Sequence, residues 1–457
     1  MKKIKTYENK KVLVLGLGKS GVNVARLLVK LGALVTVNDA KKLDDNADAQ
    51  ELVSEGVRVI TGHHPLELLD ENFELMVKNP GIHYDNPMVK RAQEKGIPII
   101  TEPELAYEVS EAPMVGITGT NGKTTTTTMI GMMLNEDRKK GHAYLAGNIG
   151  IPATEVAQKV TPDDVMVTEL SSFQLEGTTQ LHPHIAVLMD IYPAHLDFHG
   201  SMENYINAKM KIVQNQTADD YFVLNWDEEK LRPLAERTKA TVVPFSRTDQ
   251  IETGAYEKDG VLYFRGDAIM KADDVRVPGP QNIDDALAAL SVAKLGGQTN
   301  DAIKAVLTSF SGVKHRLQFV TEYQGRKFYN DSKSTNNEST IVAMNAFNQP
   351  EILLAGGLDR HISFDSLVAP MKKHVKAVVL WGETAEKLKQ TAVEAGITNI
   401  QLVKNAGAAV PAAYQVSEPG DVIVLSPACA SWDQYVNMEQ RGDEYIAAID
   451  KLTGGKA

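Results

Sequence analysis

Short apolar segments alternate with amphipathic stretches along most of this 457-residue chain. The segments lie at 11–15, 33–37, 57–60, 75–77, 97–101, 113–118, 165–168, 185–189, 351–355, 377–381 and 422–426. Each runs into a loop with glycine or polar residues, which is typical of buried parallel strands joined by helices. The pattern predicts an α/β fold. Because one hydrophobic core rarely serves so long a chain, we expect three nucleotide-fold-like domains in series, at 1–103, 104–312 and 313–457.

Composition restricts the partners of the chain. Its 43% hydrophobic and 23% charged residues are typical of a globular protein, and its formal net charge of −11 disfavours binding along a nucleic-acid backbone. We therefore expect small-molecule partners and no nucleic acid. No apolar run is long enough to span a membrane, and a single cysteine, Cys429, excludes an internal disulfide. We expect a cytoplasmic protein in which Cys429 is a buried thiol rather than a nucleophile.

The stretch GITGTNGKT at 116–124 lies between a predicted strand and a predicted helix at 124–135. Its glycines allow backbone N–H groups to close on phosphate oxygens. Lys123 can reach the terminal phosphates, and the Thr124 hydroxyl can bind Mg²⁺. One residue more than in the standard phosphate loop separates Gly116 from Gly122. The stretch predicts a site for a nucleoside triphosphate.

The stretch VLVLGLGKSG at 12–21 is a second glycine motif between a strand and a helix, and Asp39 ends the next predicted strand. Taken alone, this arrangement indicates an NAD-dependent enzyme. The same backbone geometry binds any nucleotide diphosphate, and the turn from Asn79 to Gly81 offers further backbone donors. A UDP-linked substrate is therefore the alternative to NAD.

Polar side chains follow the central strands at the edge where open α/β sheets bind their ligands. Glu169 ends an apolar strand and is a candidate to bind Mg²⁺ opposite Thr124. His195 is a candidate metal ligand or substrate contact. Lys209, on a predicted helix at 202–213, is by default a surface lysine.

The last third of the chain adds further candidates. Arg316 and Lys333 are suited to neutralise charge on a transferring phosphoryl group. Arg360 and Ser431 are suited to hold carboxylates. These side chains predict a phosphoryl-transfer site that also takes an acidic substrate.

Several motifs occur in one order along the chain: GTNGKT at 119–124, ELSSFQL at 169–175, AHLD at 194–197, NDSK at 330–333 and SPACAS at 426–431. Together they resemble the Mur ligases of peptidoglycan synthesis. The resemblance implies a Rossmann-like N-terminal domain for a UDP group, a central P-loop-type ATPase and a Rossmann-like C-terminal domain for an amino acid. It implies an ATP-dependent ligase that forms a C–N bond, adding D-glutamate to UDP-N-acetylmuramoyl-L-alanine through an acyl phosphate. It also implies a monomer.

The resemblance assigns roles residue by residue. The UDP-linked substrate falls to Lys19, Ser20, Gly21, Asp39, Asn79, Gly81, Asn148, Ser171, Gln174 and His195. ATP falls to Thr120, Asn121, Gly122, Lys123, Thr124, Thr125, Thr126, Asn282, Asp285, Arg316 and Asp331. One Mg²⁺ ion is assigned to Thr124 and Glu169, and a second to His195 and a carbamate on Lys209. D-Glutamate falls to Lys333, Thr335, Arg360, Ser431 and the backbone near Met438. The residues given catalytic roles are Lys123, Glu169, His195, Lys209 and Lys333.

Some positions depart from the family pattern. They are Asp190, Gln281, Asp285 and the segments 336–340 and 360–363. A carboxylate cannot donate a hydrogen bond as an amide does, so we expect weaker contacts to the nucleotide. The alternatives are a sibling Mur ligase, a folylpolyglutamate-type ligase, and a nucleotide-binding protein of this fold with impaired activity. An NAD oxidoreductase is a weaker alternative, because it leaves 116–125 unexplained.

Overall fold

The computed structural model describes residues 1–455, without the side chain of Lys19. The predicted contact of Lys19 with a UDP group therefore lies outside the described residues. The chain divides into two compact units. Unit 1 comprises Met1–Ala272 and Asp284–Val306, and unit 2 comprises Asp273–Ile283 and Leu307–Ala457. Among residues 1–455, no helix combines the length and the apolar composition needed to cross a membrane.

The first sheet of unit 1 is parallel. Its strands are β1 (Lys11–Leu15), β2 (Leu34–Asp39), β3 (Arg58–Thr61), β4 (Leu75–Lys78) and β5 (Ile99–Ile100), and the helices are α1 (Gly18–Lys30), α2 (Ala47–Ser54), α3 (Pro87–Glu94) and α4 (Glu102–Val109). The order β3-β2-β1-β4-β5 is that of a Rossmann half, β3-β2-β1, with two further strands. Val12 and Val14 pack into one core, whereas Leu13 and Leu15 pack into another on the opposite face. Burial of both faces explains why the strand is apolar at every position.

The second sheet of unit 1 is larger and mixed. Its strands are β6 (Met114–Thr118), β7 (Ala143–Gly147), β8 (Val165–Glu169), β9 (Ile185–Leu188), β10 (Tyr221–Asn225), β11 (Thr241–Ser246), β12 (Ala255–Lys258), β13 (Val261–Phe264) and β14 (Asp267–Lys271). The helices of this stretch of chain are α5 (Lys123–Asn135), α6 (Ala153–Ala157), α7 (Ser172–Glu176), α8 (Leu196–His199), α9 (Met202–Met210), α10 (Pro280–Leu295) and α11 (Asn300–Ser309). The order is β14-β13-β12-β11-β10-β9-β6-β8-β7, antiparallel only at the β12–β13–β14 end. The glycine loop after β6 therefore lies between the ends of β8 and β9.

Unit 2 contains the third sheet. Its strands are β15 (Gln318–Tyr323), β16 (Arg326–Asn330), β17 (Glu351–Gly356), β18 (Val375–Trp381), β19 (Asn399–Leu402) and β20 (Val422–Leu425), and its helices are α12 (Asn337–Met344), α13 (Val368–His374), α14 (Ala385–Glu394), α15 (Ala406–Val416) and α16 (Met438–Thr453). The order is β15-β16-β20-β17-β18-β19, parallel except for β15. Apolar clusters cover both faces of the sheet. The loops after β16, β17, β18 and β20 meet at its carboxyl edge.

The predicted α/β fold is confirmed, and every predicted strand segment overlaps an observed strand. The sequence pattern missed β7, β10, β11, the antiparallel strands β12–β14, and β15, β16 and β19. The sheets of the first two predicted domains belong to one compact unit.

Candidate functional site

The phosphate loop follows the innermost part of the second sheet. Gly119 has φ +154° and Gly122 has φ +73°, backbone conformations that favour glycine. Helix α5 begins at Lys123 with no side-chain cap, so its N-terminal amides are available to an anion. The Lys123 ammonium donates to the carbonyls of Gly119 (2.8 Å) and Thr120 (2.7 Å). The loop thus brings the amide dipoles of a helix start and a positive charge to one place.

Gly116, which the sequence suggested as the first loop glycine, lies inside β6 instead. A Cβ at this position would come within 3.0 Å of Pro183 and 3.2 Å of Ile212. Gly116 therefore serves close packing of the sheet, and the loop starts at Gly119. The apparent extra residue in the motif belongs to the strand.

Asp190, one of the departures from the family pattern, holds the phosphate loop. One carboxylate oxygen accepts the N–H groups of Thr120 (2.6 Å) and Asn121 (2.8 Å), and the other accepts the Asn121 side-chain amide (2.9 Å). Burial raises the pKa of Asp190, although these donors oppose the rise. Asp190, which lies just after β9, thus holds the phosphate loop in place.

Glu169 ends β8 and is 1% exposed. Its Oε1 accepts the Asn148 side-chain amide at 2.8 Å. Its other oxygen, Oε2, is buried and has no hydrogen-bond partner within residues 1–455. An unpaired buried carboxylate oxygen is costly unless a cation binds there, so this chemistry fits the predicted Mg²⁺ ligand.

The pKa values of His195 and Lys209 are both lowered, mainly by burial. Burial lowers the pKa of His195, which leaves a neutral imidazole that can bind a metal or accept a proton. Lys209 is 1% exposed and donates to the Gly119 carbonyl at 2.6 Å. Burial and the nearby Lys123 charge lower the pKa of Lys209 well below its ordinary value. The default expectation of a surface lysine at 209 is therefore wrong.

A cavity of about 490 Å³ lies beside these groups in unit 1. Its lining residues are Ser20, Asn79, Pro80, Gly81, Glu102, Lys123, Gly147, Asn148, Gly150, Pro152, Ser171, Phe173, Gln174 and His195. Residues after β1 and β4 of the first sheet thus share one cavity with residues after β6, β7, β8 and β9 of the second. One residue of each glycine motif, Ser20 and Lys123, thus lines the same cavity.

The first glycine loop is closed by two side chains. A Cβ on Gly21 would come within 2.3 Å of the Gly16 carbonyl oxygen, so the loop and α1 need glycine there. The Leu17 N–H donates to Asp39 Oδ2 at 2.8 Å. The Asn79 amide donates to the Leu17 carbonyl (3.2 Å) and to Ser20 Oγ (3.4 Å). Asp39 thus anchors the loop, and its contact with a ribose or uracil stays a prediction.

Asp285 packs directly against the phosphate loop. The Thr126 hydroxyl donates to Asp285 Oδ1 at 3.2 Å, and a Cβ on Gly122 would meet the same oxygen at 2.4 Å. Thr126 is fully buried, and its N–H donates to the Gly122 carbonyl. Both polar groups of Thr126 are used within the chain, so its contact with ATP stays a prediction.

Unit 2 places several predicted residues near the carboxyl edge of its sheet. Asp331 accepts the Leu317 N–H (3.0 Å) and the Ser426 hydroxyl (2.9 Å), and burial raises its pKa to about 6. Arg316 is close enough to oppose that rise. The Asn282 amide donates to the Pro278 carbonyl in its own turn. Lys333 is exposed and Thr335 is half-buried.

A buried arginine, Arg441, holds the main chain near Met438, one of the D-glutamate candidates. Arg441 donates to the hydroxyl (3.0 Å) and carbonyl (2.8 Å) of Ser332 and to the Cys429 carbonyl (3.0 Å). The Ser332 hydroxyl donates in turn to the Met438 carbonyl at 2.7 Å. Ser431 Oγ is buried without a hydrogen-bond partner in the described chain, so it is suited to a ligand.

Two further residues of unit 2 can be assessed from their surroundings. The exposed Arg360 guanidinium stacks 5.0 Å from the Trp432 ring centroid. Burial raises the pKa of Cys429 to about 11, which opposes its use as a nucleophile.

Sequence reasoning gave no role to three residues of these sites. Glu102 lines the cavity and accepts the Thr154 hydroxyl at 2.8 Å. Asp190 and Arg441 position backbone at the phosphate loop and in unit 2. Glu102 directly follows a predicted strand, a signal that was present. Arg441 lies on helix α16, and its burial had no signal in the sequence.

The predicted metal ligands include few protein donors. Within residues 1–455, no three His, Cys, Asp or Glu side chains are grouped so that they could hold a metal ion. Magnesium usually takes one or two carboxylates and completes its shell with waters and substrate phosphates. A protein contribution of Glu169 and the Thr124 hydroxyl therefore fits Mg²⁺ bound together with a nucleotide.

Family models and relatives agree across the chain. The Mur ligase MurD-like N-terminal domain matches residues 10–101, the Mur ligase middle domain 117–293 and the Mur ligase glutamate ligase domain 315–429. The UDP-N-acetylmuramoylalanine–D-glutamate ligase of Latilactobacillus sakei is 60% identical over 453 residues, 99% of this chain and 100% of that protein. The enzyme of the same name from Enterococcus faecalis is 58% identical over 453 residues, 99% of each chain.

A solved structure shares the fold at low identity. The UDP-N-acetylmuramate-alanine ligase MurC of Thermotoga maritima is 18% identical, with a TM-score of 0.58 over 97% of this chain and 99% of that chain. The resemblance inferred from the motifs is confirmed: the chain belongs to the Mur ligase family.

Proposed function

We propose that this protein is an ATP-dependent ligase that joins D-glutamate to UDP-N-acetylmuramoyl-L-alanine in peptidoglycan precursor synthesis. Relatives 58% and 60% identical over 99% of the chain carry that activity in their names. Family membership also explains the first glycine motif through a UDP-linked substrate, which removes the need for NAD.

The observation that carries the proposal is the cavity of about 490 Å³ in unit 1. It joins the first glycine loop, suited to a nucleotide diphosphate, to the phosphate loop, suited to a triphosphate. A UDP-muramoyl substrate bound with its diphosphate near Ser20 and Gly81 would direct its far end towards Asn148, Gln174 and His195. Its carboxylate would then lie beside Lys123.

The reaction needs the carboxylate activated. A carboxylate is a poor electrophile, so its oxygen attacks the γ-phosphorus of ATP and gives an acyl phosphate and ADP. Lys123 offsets the charge of the transferring phosphoryl group, and the free amides at the start of α5 hold the other phosphates. The amine of D-glutamate then attacks the acyl carbon, phosphate leaves and the amine loses a proton.

Mg²⁺ would be held by Thr124 and Glu169, and a second ion by His195 and a carbamate on Lys209. Bound metal would supply Lewis-acid stabilisation of charge on the phosphates. Lys209 suits carbamylation because its lowered pKa favours the neutral amine, the form that adds to CO₂. Lys209→Ala activity that short carboxylic acids rescue would support the carbamate, and unchanged activity would contradict it.

The proposal also assigns residues of unit 2 to the amino-acid substrate. Ser431, whose Oγ has no partner within residues 1–455, and Arg360 are suited to the carboxylates of D-glutamate. Lys333 and Thr335 would hold the same ligand together with the backbone at Met438. Asn282, Arg316, Asp331 and Asp285 would contact ATP. We further propose domains at 1–103, 104–312 and 313–457, a monomer, and a cytoplasmic location where ATP is available.

Phosphate release by the full chain tests the proposal. The assay contains ATP, Mg²⁺ and UDP-N-acetylmuramoyl-L-alanine, with D-glutamate, L-glutamate, L-alanine or L-lysine. We expect release with D-glutamate only. Release with another amino acid would indicate a sibling ligase, and ATP binding without release would indicate an inactive member of the family.

A further inference from the structure

Lys78 is a buried lysine that the proposed reaction does not use. It ends β4, directly before the turn from Asn79 to Ile82, and it is 1% exposed. A lysine is almost never so buried without a partner that holds its ammonium group. Its surroundings therefore indicate what it does.

The ammonium group of Lys78 lies against the main chain of the turn. It donates to the carbonyl of Ile82 at 2.7 Å, and the carbonyls of Pro80 and Asn79 lie at 3.4 and 3.5 Å. The rings of Tyr84 (4.6 Å) and Phe198 (5.8 Å) close the other sides. The ammonium thus faces three main-chain carbonyls of one turn, and aromatic rings shield its other sides.

The opposite side of the same turn forms part of the site. Asn79, Pro80 and Gly81 line the cavity, whereas Lys78 does not. The Gly81 N–H donates to the side-chain oxygen of Asn79 at 3.1 Å, an acceptor that a ligand phosphate can replace. With its carbonyls drawn to Lys78, the turn can present the Gly81 N–H to an anion. The Asn79 and Ile82 N–H groups donate to the carbonyls of Leu15 and Asn79.

We propose that Lys78 is a positioning residue for the UDP-linked substrate: from behind the turn it fixes the backbone that faces the nucleotide diphosphate. The inference rests on the proposed function for the identity of that substrate. Lys78 touches neither substrate nor ATP. It acts through Asn79 and Gly81, and so it governs binding of one substrate rather than the chemical step.

Charged neighbours bear on how Lys78 behaves. Burial lowers its pKa to about 8, and the Glu176 carboxylate on α7 opposes that fall. Tyr84 faces the same ammonium, and burial raises its pKa to about 12. Lys78 therefore loses its proton near pH 8, whereas Tyr84 keeps its own.

The first test is Lys78→Met, which keeps the stem and removes the donor. We expect KM for UDP-N-acetylmuramoyl-L-alanine to rise about tenfold or more, with kcat and KM for ATP within about twofold of wild type. The control is Lys211→Met, because Lys211 also donates to main-chain carbonyls, of Glu176 and Thr178, and has Glu176 as neighbour. The control should lower thermal stability without this selective change in KM.

A second measurement needs no substitution and decides the case if Lys78→Met does not fold. UDP binding to the wild-type chain, followed by calorimetry, should weaken as pH rises from about 7 to about 9 and the ammonium loses its proton. Flat UDP affinity over this range, or a folded Lys78→Met with unchanged KM, overturns the inference.

The inference and the proposed function fail differently. A wild-type chain that releases phosphate with D-glutamate but is insensitive to Lys78 keeps the function and overturns the inference. A wild-type chain that binds no UDP near pH 7 overturns both.

Discussion

Unit 1 contains two glycine loops that share one backbone design and differ in chemistry. Each follows a central parallel strand and precedes a helix with no side-chain cap at its start, α1 or α5. In the first loop, the Leu17 N–H donates to the Asp39 carboxylate and the Leu17 carbonyl accepts the Asn79 amide. In the second loop, the side chains of Lys123 and Lys209 both donate to the Gly119 carbonyl. Glycine geometry suits both loops to an anion, and the two loops differ in the side chains around them, because Lys123 and Lys209 lie only at the second.

The largest expected effect follows from removing the charge in the second loop. Lys123→Met should lower kcat of D-glutamate-dependent phosphate release about a thousandfold, because no other loop side chain can offset the transferring phosphoryl charge. UDP affinity, measured by calorimetry, should stay within about twofold of wild type, since the first loop is untouched. Lys159→Met, at an exposed lysine paired with Glu155, is the control and should change neither quantity. An equal loss of UDP affinity in Lys123→Met would contradict the division of labour between the loops.

A pair of glycine substitutions sharpens the comparison next. Gly21→Ala places a Cβ 2.3 Å from the Gly16 carbonyl, and Gly122→Ala places one 2.4 Å from Asp285 at φ +73°. We expect Gly21→Ala to raise KM for the UDP-linked substrate and Gly122→Ala to raise KM for ATP, each by about ten- to hundredfold. Each variant serves as the control for the other. If both raised the two KM values equally, the loops would be one cooperative site rather than two.

The sequence predicted the backbone of both loops because their signals are local. Strand, glycine loop and helix follow one another in the chain at β1 and at β6, and hydrophobic runs of this kind mark buried strands. The motif seemed one residue too long because Gly116 was taken as its first glycine. Gly116 is needed instead for packing against Pro183, and the sequence does not distinguish it from a loop glycine. Only the space around Gly116 distinguishes the two roles.

Other features were hidden because they depend on distant parts of the chain. The burial of Lys209 results from packing of α9 under the phosphate loop, and a lone lysine on a helix carries no sign of it. The antiparallel strands β13 and β14 are short and lie at the edge of the sheet, where alternation is weak. Asp190 was visible as a departure, but its hydrogen bonds to Thr120 and Asn121 required the fold.

Asp190→Asn should change KM for ATP less than the glycine substitution in the second loop does. Its oxygen can still accept the N–H groups of Thr120 and Asn121, while a negative charge beside the phosphates disappears. We expect KM for ATP to fall about two- to fivefold and UDP affinity to stay unchanged. A raised KM for ATP would show that the ionised form is required.

The same substitution tests the pKa of Asp190 through stability. Because burial raises this pKa, the folded state binds the proton more tightly than the unfolded state. The contribution of Asp190 to stability therefore falls as pH rises from the ordinary aspartate range through the raised pKa. Asp190→Asn should gain thermal stability over wild type at neutral pH and lose that advantage at acidic pH. An advantage that is the same at both pH values would contradict the shift.

An effect of similar size is expected at the corresponding carboxylate of the first loop. Asp39 Oδ2 accepts the Leu17 N–H, and Oδ1 accepts the Lys41 N–H at 2.9 Å and the Asn46 amide at 3.3 Å. Asp39→Asn keeps one oxygen and turns the other into a donor, so at least one of these bonds is lost. A single hydrogen bond is worth roughly 0.5–1.5 kcal/mol, so we expect KM for the UDP-linked substrate to rise about two- to tenfold with KM for ATP unchanged. A much larger rise would mean that Asp39 also binds the substrate directly, as the sequence predicts, and that the first loop, like the second, depends on a side chain that meets its ligand.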